Sequence, residues 1–231
     1  MRAILFDLFG TLVPNLPCST WEQSSDSIAM ALGVPPQTYR DLWEPKFKER
    51  MTGEILDGEQ QFDEILELSG IEASIEKRRS AARLHLDLLS EALIPKNEAC
   101  EVLENLVARG LKLGLVTDCS SAAPIVLDKT ALGPFFTARS ISAFLGVRKP
   151  DPLMYSHVLD LLQVSGEDCL YVGDGNSQEL PGAKKFGMTT VWVDNGEEQH
   201  WRERFIPKGD YTVTSLEQLI PILESLEKPS N

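Results

Sequence analysis

The chain has 231 residues, 42% of them hydrophobic, and a net charge of -13 with a pI near 4.7. That length and apolar content suffice for one sizeable core, or for a core domain with a smaller insert. The negative charge repels nucleic acid and anionic membrane. No apolar run reaches the roughly 20 residues of a membrane span and no signal-peptide pattern precedes the first strand, so a cytoplasmic protein is expected.

Taken in chain order, Met1 to Phe9 is an apolar run of strand length. Residues 14 to 93 then carry helical patterns almost without strand signal, at Thr20–Leu32, Thr38–Arg50, Glu59–Leu68 and Ile75–Leu89. Gly33, Gly70 and the Pro35-Pro36 pair punctuate them. Lys77-Arg78-Arg79 reads as one solvated turn of the last of these helices. From Cys100 the pattern alternates. A helix runs to Arg109 and is capped by Gly110. A strand follows at Leu113–Thr117, a helix at Pro124–Leu132 and a short strand at Arg139–Leu145. The next elements are a helix at Leu153–Leu162, a strand at Cys169–Gly173 and a helix at Leu180–Phe186 with Pro181 in its first turn. The β-branched strand Thr189–Val193, a last strand at Tyr211–Thr214 and a helix at Leu216–Leu226 complete the chain, and Glu227–Asn231 is expected to fray.

Strands separated by helices predict an α/β protein: a doubly wound, Rossmann-like parallel sheet with an inserted α-helical domain. The core is residues 1–13 and 94–231, and the insert is residues 14–93. Cys18, Cys100, Cys119 and Cys169 show no CxxC spacing and read as free thiols. His85, His157 and His200 show no metal-site spacing.

In open parallel sheets the chemistry lies beyond the carboxyl ends of the strands. Here those ends carry Asp7 and Thr11, then Thr117 and Asp118, then Lys149, then Asp174 and Glu179. An Asp after a strand is ordinarily a turn or cap residue. Four polar groups in this order along one edge are a different matter. Asp7 and Asp174 at neighbouring strand ends form a hard, oxygen-rich site suited to Mg²⁺. Thr117 offers a hydroxyl, and the backbone N–H groups after it suit phosphate oxygens. Gly10 permits a sharp turn after the first strand.

The segments FDLFGT, LVTD, RKP and VGDGNSQE, in that order, resemble the four motifs of the haloacid dehalogenase superfamily of hydrolases. The helical insert resembles the cap domain of its first subfamily. The resemblance implies that Asp7 is the nucleophile, that Thr117 binds the transferred group, and that Lys149 holds Asp7 and the substrate charge together. It implies Mg²⁺ on Asp7, Asp174 and the backbone carbonyl of Phe9, with Glu179 supporting the metal directly or through water. The implied partner is a small molecule, a phosphate ester.

One position departs from the phosphatase pattern. Phosphatases of the superfamily usually carry a second Asp where this chain has Phe9, and it serves as the general acid. Such help is worth about 10²–10⁴-fold, so a phosphatase built this way is expected to be slow or to prefer good leaving groups. The dehalogenase branch places an aromatic residue there, because a halide needs no proton. Against dehalogenation stand Asp174, Glu179, Glu44 where that branch has an arginine after its Leu-Trp pair, and Asp118, whose charge would repel a haloacid. Asp118 is also placed either to brace its loop or to replace the missing acid. Trp43, Lys46, Lys48, Arg50 and Met51 are the cap residues taken as facing the site. The expected activity is therefore a Mg²⁺-dependent phosphatase acting through an aspartyl-phosphate. The alternatives are a 2-haloacid dehalogenase-like hydrolase, or a binding or regulatory protein that has lost turnover through Phe9.

Overall fold

The computed structural model describes residues 1–196 and 209–227. His200 and the chain end after Glu227 lie outside the described residues. Six strands form one parallel sheet: β1 (Ala3–Phe6), β2 (Lys112–Thr117), β3 (Ala138–Ile141), β4 (Cys169–Gly173), β5 (Thr189–Val193) and β6 (Tyr211–Val213). Their order is β3-β2-β1-β4-β5-β6. Chain order reverses direction at β1, so the switch point lies between β1 and β4, where open α/β sheets hold their ligands.

The helices are α1 (Cys18–Leu32), α2 (Pro36–Trp43), α3 (Phe47–Met51), α4 (Asp63–Ser69), α5 (Ile75–Ala92), α6 (Ala99–Ala108), α7 (Ala123–Leu127), α8 (Ser142–Leu145), α9 (Pro152–Leu162), α10 (Glu179–Lys184) and α11 (Leu219–Glu227). They cover both faces of the sheet. Successive residues of a strand point to opposite faces, and β1 divides accordingly. Ile4 and Phe6 pack with Leu103 and Leu106 of α6 and with Leu219 and Leu223 of α11. Ala3 and Leu5 pack with Met154 and Val158 of α9 and with Leu180 of α10. Both sets are fully buried, which is why the strand reads as an uninterrupted apolar run. Each large side chain buried this way contributes about 1.5–3 kcal/mol.

The five helices after β1 have an apolar cluster of their own, built on Ile28 and Leu32 of α1, Tyr39 of α2, Phe62, Ile65 and Leu66 near α4, and Ala81 of α5. Gly33 ends α1 at φ +83 and Gly70 ends α4 at φ +66, left-handed positions that glycine adopts without strain.

Three sequence expectations need correction. The helix expected over Thr38–Arg50 breaks into α2 and α3 around a 3₁₀ turn at Glu44–Lys46, because Pro45 has no N–H to continue the ladder. The helix expected over Pro124–Leu132 stops at Leu127. There Thr130 turns back on that residue, its N–H at 2.9 Å and its hydroxyl at 2.8 Å from the Leu127 carbonyl, a local competitor for helical bonding. The strand expected over Arg139–Leu145 ends at Ile141, and Ser142–Leu145 form the short helix α8. Ser142 Oγ turns the chain by binding the N–H of Cys119 at 2.9 Å and its carbonyl at 3.2 Å.

Candidate active site

The register brings the polar strand ends together. Phe6 pairs with Leu115 on β2 and with Val172 on β4. Thr117 and Asp174 therefore stand level with each other, one residue beyond Asp7, at the carboxyl end of the sheet. The Asp7 N–H still reaches the Val172 carbonyl at 2.9 Å, which fixes the start of the turn. At Gly10 the chain adopts φ +77, and a Cβ there would lie 2.3 Å from Asp174 Oδ2. The turn after β1 thus needs glycine twice over, for its dihedral and for the nearness of a carboxylate. Lys96 Nζ and Asn195 Nδ2 hold the Gly10 carbonyl at 3.0 and 2.5 Å.

All of Asp7, Thr11, Thr117, Lys149, Asp174 and Glu179 are buried. The Lys149 ammonium lies 2.5 Å from Asp7 Oδ1 and 2.6 Å from Glu179 Oε2. Thr11 Oγ1 donates to Asp7 Oδ2 at 3.0 Å. Asn176 holds both oxygens of Asp174, through its N–H at 2.9 Å and its side-chain amide at 2.6 Å. Thr117 Oγ1 is buried with no protein partner. A hydroxyl left this way is costly unless something else bonds it.

Glu179 is anchored from three sides. Its Oε2 takes Lys149 and the Tyr171 hydroxyl at 2.9 Å, and its Oε1 takes the Gly175 N–H at 2.9 Å. The Tyr155 hydroxyl donates to its carbonyl at 3.0 Å. Asp118 is likewise engaged. It accepts from the Lys149 N–H at 2.9 Å and from Ser177 Oγ at 3.0 Å, and it faces Arg148 Nε at 3.3 Å.

The electrostatics are those of a cluster of acids. One oxygen from each of Asp7, Asp174 and Glu179 falls within a 4.8 Å cluster, and the Lys149 ammonium is paired with Asp7 and Glu179. Burial first, and then the neighbouring Asp7 charge, push Asp174 up to about 6 and Glu179 up to about 8. Burial pulls Lys149 down, but Asp7, Glu179 and Asp118 outweigh it and hold the ammonium well above its ordinary value. Clustered carboxylates that resist ionisation are the natural setting for a hard divalent cation, so the donor set fits Mg²⁺.

The cap residues expected to face the site do not all do so. Arg50 is turned into the helical insert, its guanidinium 3.8 Å from the centre of the Trp43 ring and donating to the Trp43 carbonyl at 2.5 Å. Trp43 itself stacks on Tyr39 and Phe62, and Lys46 pairs with Glu64 at 2.9 Å. The helical insert reaches the sheet-bearing part instead through Phe47, whose ring lies under Arg148, through Gly53 and through Asp57. Sequence reasoning missed these, and it missed Tyr171, Tyr155, Asn15 and Asn176 as partners of the acids. A tyrosine in an apolar strand reads as core, and nothing in the pattern announces its hydroxyl.

Residues 1–187 match the family model of the haloacid dehalogenase-like hydrolases. A glyceraldehyde 3-phosphate phosphatase of Pyrococcus furiosus is 33% identical over 130 residues, covering 54% of this chain and 53% of that protein, so the match spans about half the relative's length. The glyceraldehyde 3-phosphate phosphatase of Methanopyrus kandleri is 25% identical over 236 residues and 99% of both chains. Among solved structures, a 2-haloacid dehalogenase of Pseudomonas syringae aligns with a TM-score of 0.70 over 98% of this chain and 99% of its own, at 24% identity, a likeness of fold.

Proposed function

Because the chain belongs to the haloacid dehalogenase-like hydrolases, we propose that it is a Mg²⁺-dependent phosphatase, acting on a small phosphorylated metabolite through an aspartyl-phosphate at Asp7. The observation that carries this reading is the buried cluster of Asp7, Asp174 and Glu179 beside the unpartnered Thr117 hydroxyl. Curated relatives named as glyceraldehyde 3-phosphate phosphatases favour a substrate of that size.

In this reading Lys149 on Oδ1 and Thr11 on Oδ2 fix the orientation of the Asp7 carboxylate. Asp7 attacks phosphorus, its oxygen–phosphorus bond forming as the bond to the leaving oxygen breaks. Water then cleaves the acyl phosphate, releasing phosphate and restoring Asp7. Thr117 and the N–H groups of its loop take the phosphoryl oxygens. Asp7, Asp174 and the Phe9 carbonyl would hold Mg²⁺, with Glu179 behind them anchoring Lys149. The ion, when bound, neutralises charge on the transferring group. Asp118 braces the loop, because its oxygens are engaged by Lys149, Ser177 and Arg148. Residues 14–93 serve as the cap domain over the core formed by residues 1–13 and 94–231. The test is phosphate release from aryl and alkyl phosphates by wild type and by Asp174→Asn. Release that is equal in the two, or unaffected by Mg²⁺, would overturn the proposed metal site.

Phe9 favours one rival, a 2-haloacid dehalogenase forming an ester at Asp7. Halide release from a 2-haloacid without added metal would support it.

A further inference from the structure

The segment between α3 and α4 meets the core at two places. Gly53 (φ +75) lies so close to α8 that a Cβ there would be 2.0 Å from the Ala143 carbonyl. Asp57 reaches the loop that follows β2. Its Oδ2 accepts from the Ala122 N–H at 2.6 Å and from Ser121 Oγ at 3.1 Å, and its own N–H donates to Ser121 Oγ at 2.9 Å. Its Oδ1 lies 2.9 Å from His85 Nε2 on α5, and both side chains are largely buried. The loop it grips is the one that begins at Thr117. Ser142 pins the middle of that loop at Cys119 from within the core, and Asp57 binds its far end from the cap.

We propose that Asp57 is a positioning residue for phosphate binding: by docking the cap on Ser121 and Ala122 it fixes the loop that carries Thr117, so that cap closure and assembly of the phosphate-binding loop are one event. The kinetic part rests on the phosphatase reading. Charge-assisted bonds are the strong ones, and a carboxylate taken from water is costly without them. When the cap lifts, Asp57 keeps His85 but loses its three bonds to the core, while Ser121 and Ala122 return to solvent. The difference between the two states is concentrated on one carboxylate, and a ligand that needs the ordered loop selects the closed state. Its apparent affinity is scaled by the fraction of molecules that are closed.

The test compares wild type with Asp57→Ala, Asp57→Asn, Ser121→Ala and the Asp57→Ala/Ser121→Ala double variant, all in the full chain. It reads KM and kcat on an aryl phosphate, the inhibition constant of inorganic phosphate, and amide hydrogen exchange over residues 117–123. Asp57→Ala is expected to raise KM and the phosphate constant about tenfold, the worth of one charge-assisted bond, with kcat changed less than about twofold. Asp57→Asn, which keeps an acceptor, is expected to fall between, and Ser121→Ala to add nothing on the Asp57→Ala background. Exchange over residues 117–123 is expected to quicken in Asp57→Ala. A lower melting temperature with unchanged KM, phosphate constant and exchange would overturn the inference, and Asp57→Asn and Ser121→Ala decide it if Asp57→Ala does not fold. A wild type inactive on every phosphate ester overturns the phosphatase reading instead. The exchange comparison then stands alone, supporting the coupling if faster and overturning it if unchanged.

Discussion

The ammonium of Lys149 and the carboxylate of Asp7 lie 2.5 Å apart although 142 residues separate them in the chain. The pair is buried, and Glu179 shares the same ammonium. Removing one partner of a buried pair leaves charge without compensation and typically costs about 3–5 kcal/mol. Lys149→Met is expected to lose stability on that scale in urea unfolding. It is also expected to lose about 10²-fold or more in kcat, because charge at the transferring group goes unanswered. A variant with near wild-type kcat would remove Lys149 from the mechanism.

Gly10 and Asp174 form a tight steric relation in the site. Gly10→Ala puts a methyl group where Asp174 Oδ2 stands, at a positive φ that L side chains rarely adopt. It is expected to destabilise the fold by about 1–3 kcal/mol and to abolish the rise in melting temperature that the proposed metal site predicts for the wild type in Mg²⁺. Thermal unfolding with and without Mg²⁺ measures both. A normal Mg²⁺ shift in Gly10→Ala would separate this turn from the metal site.

Phe9 is a hydrocarbon at a position where a proton donor would help a poor leaving group. Phe9→Asp is expected to raise turnover of alkyl phosphates by up to about 10²-fold while changing aryl phosphates much less. The ratio of the two rates is the readout. Loss of both activities in a folded variant would mean that the pocket depends on the ring.

Much of this site was legible in the sequence. Asp7, Thr117 and Asp174 each close an apolar run, and the order of the runs placed them on one edge. Other features depend on contacts that no local pattern encodes. Tyr171 alternates in β4 like any core residue, and only the fold brings its hydroxyl to Glu179. Arg50 reads as site-facing because a basic group there could meet an anionic substrate, and only the fold turns it onto Trp43. Asp57 lies between two helical patterns with no motif to mark it, and its partners Ser121 and Ala122 are 64 and 65 residues away.

Asp57 also has a signature in acid. Burial works to raise its pKa, but the hydrogen bond and charge of His85 and the bonds from the core hold it down to about 2. A carboxyl whose folded pKa is depressed stabilises above its unfolded value, near 3.9, and loses that stability as pH falls through the folded value. The contribution is about 2–3 kcal/mol. The stability gap between wild type and Asp57→Asn is expected to be full above about pH 4 and to close toward pH 2. A gap independent of pH across that window, in urea unfolding, would show that Asp57 is not ionised in the interface.

The most direct measurement is phosphate release from an activated aryl phosphate and a set of phosphomonoesters, by wild type and by Asp7→Asn, in Mg²⁺ and in EDTA. The expected result is release by wild type in Mg²⁺, its loss in EDTA, and a fall of at least about 10⁴-fold in Asp7→Asn, because an amide is a far poorer nucleophile than a carboxylate. Release that survives in Asp7→Asn, or that EDTA leaves unchanged, would contradict a Mg²⁺-dependent aspartyl-phosphate mechanism.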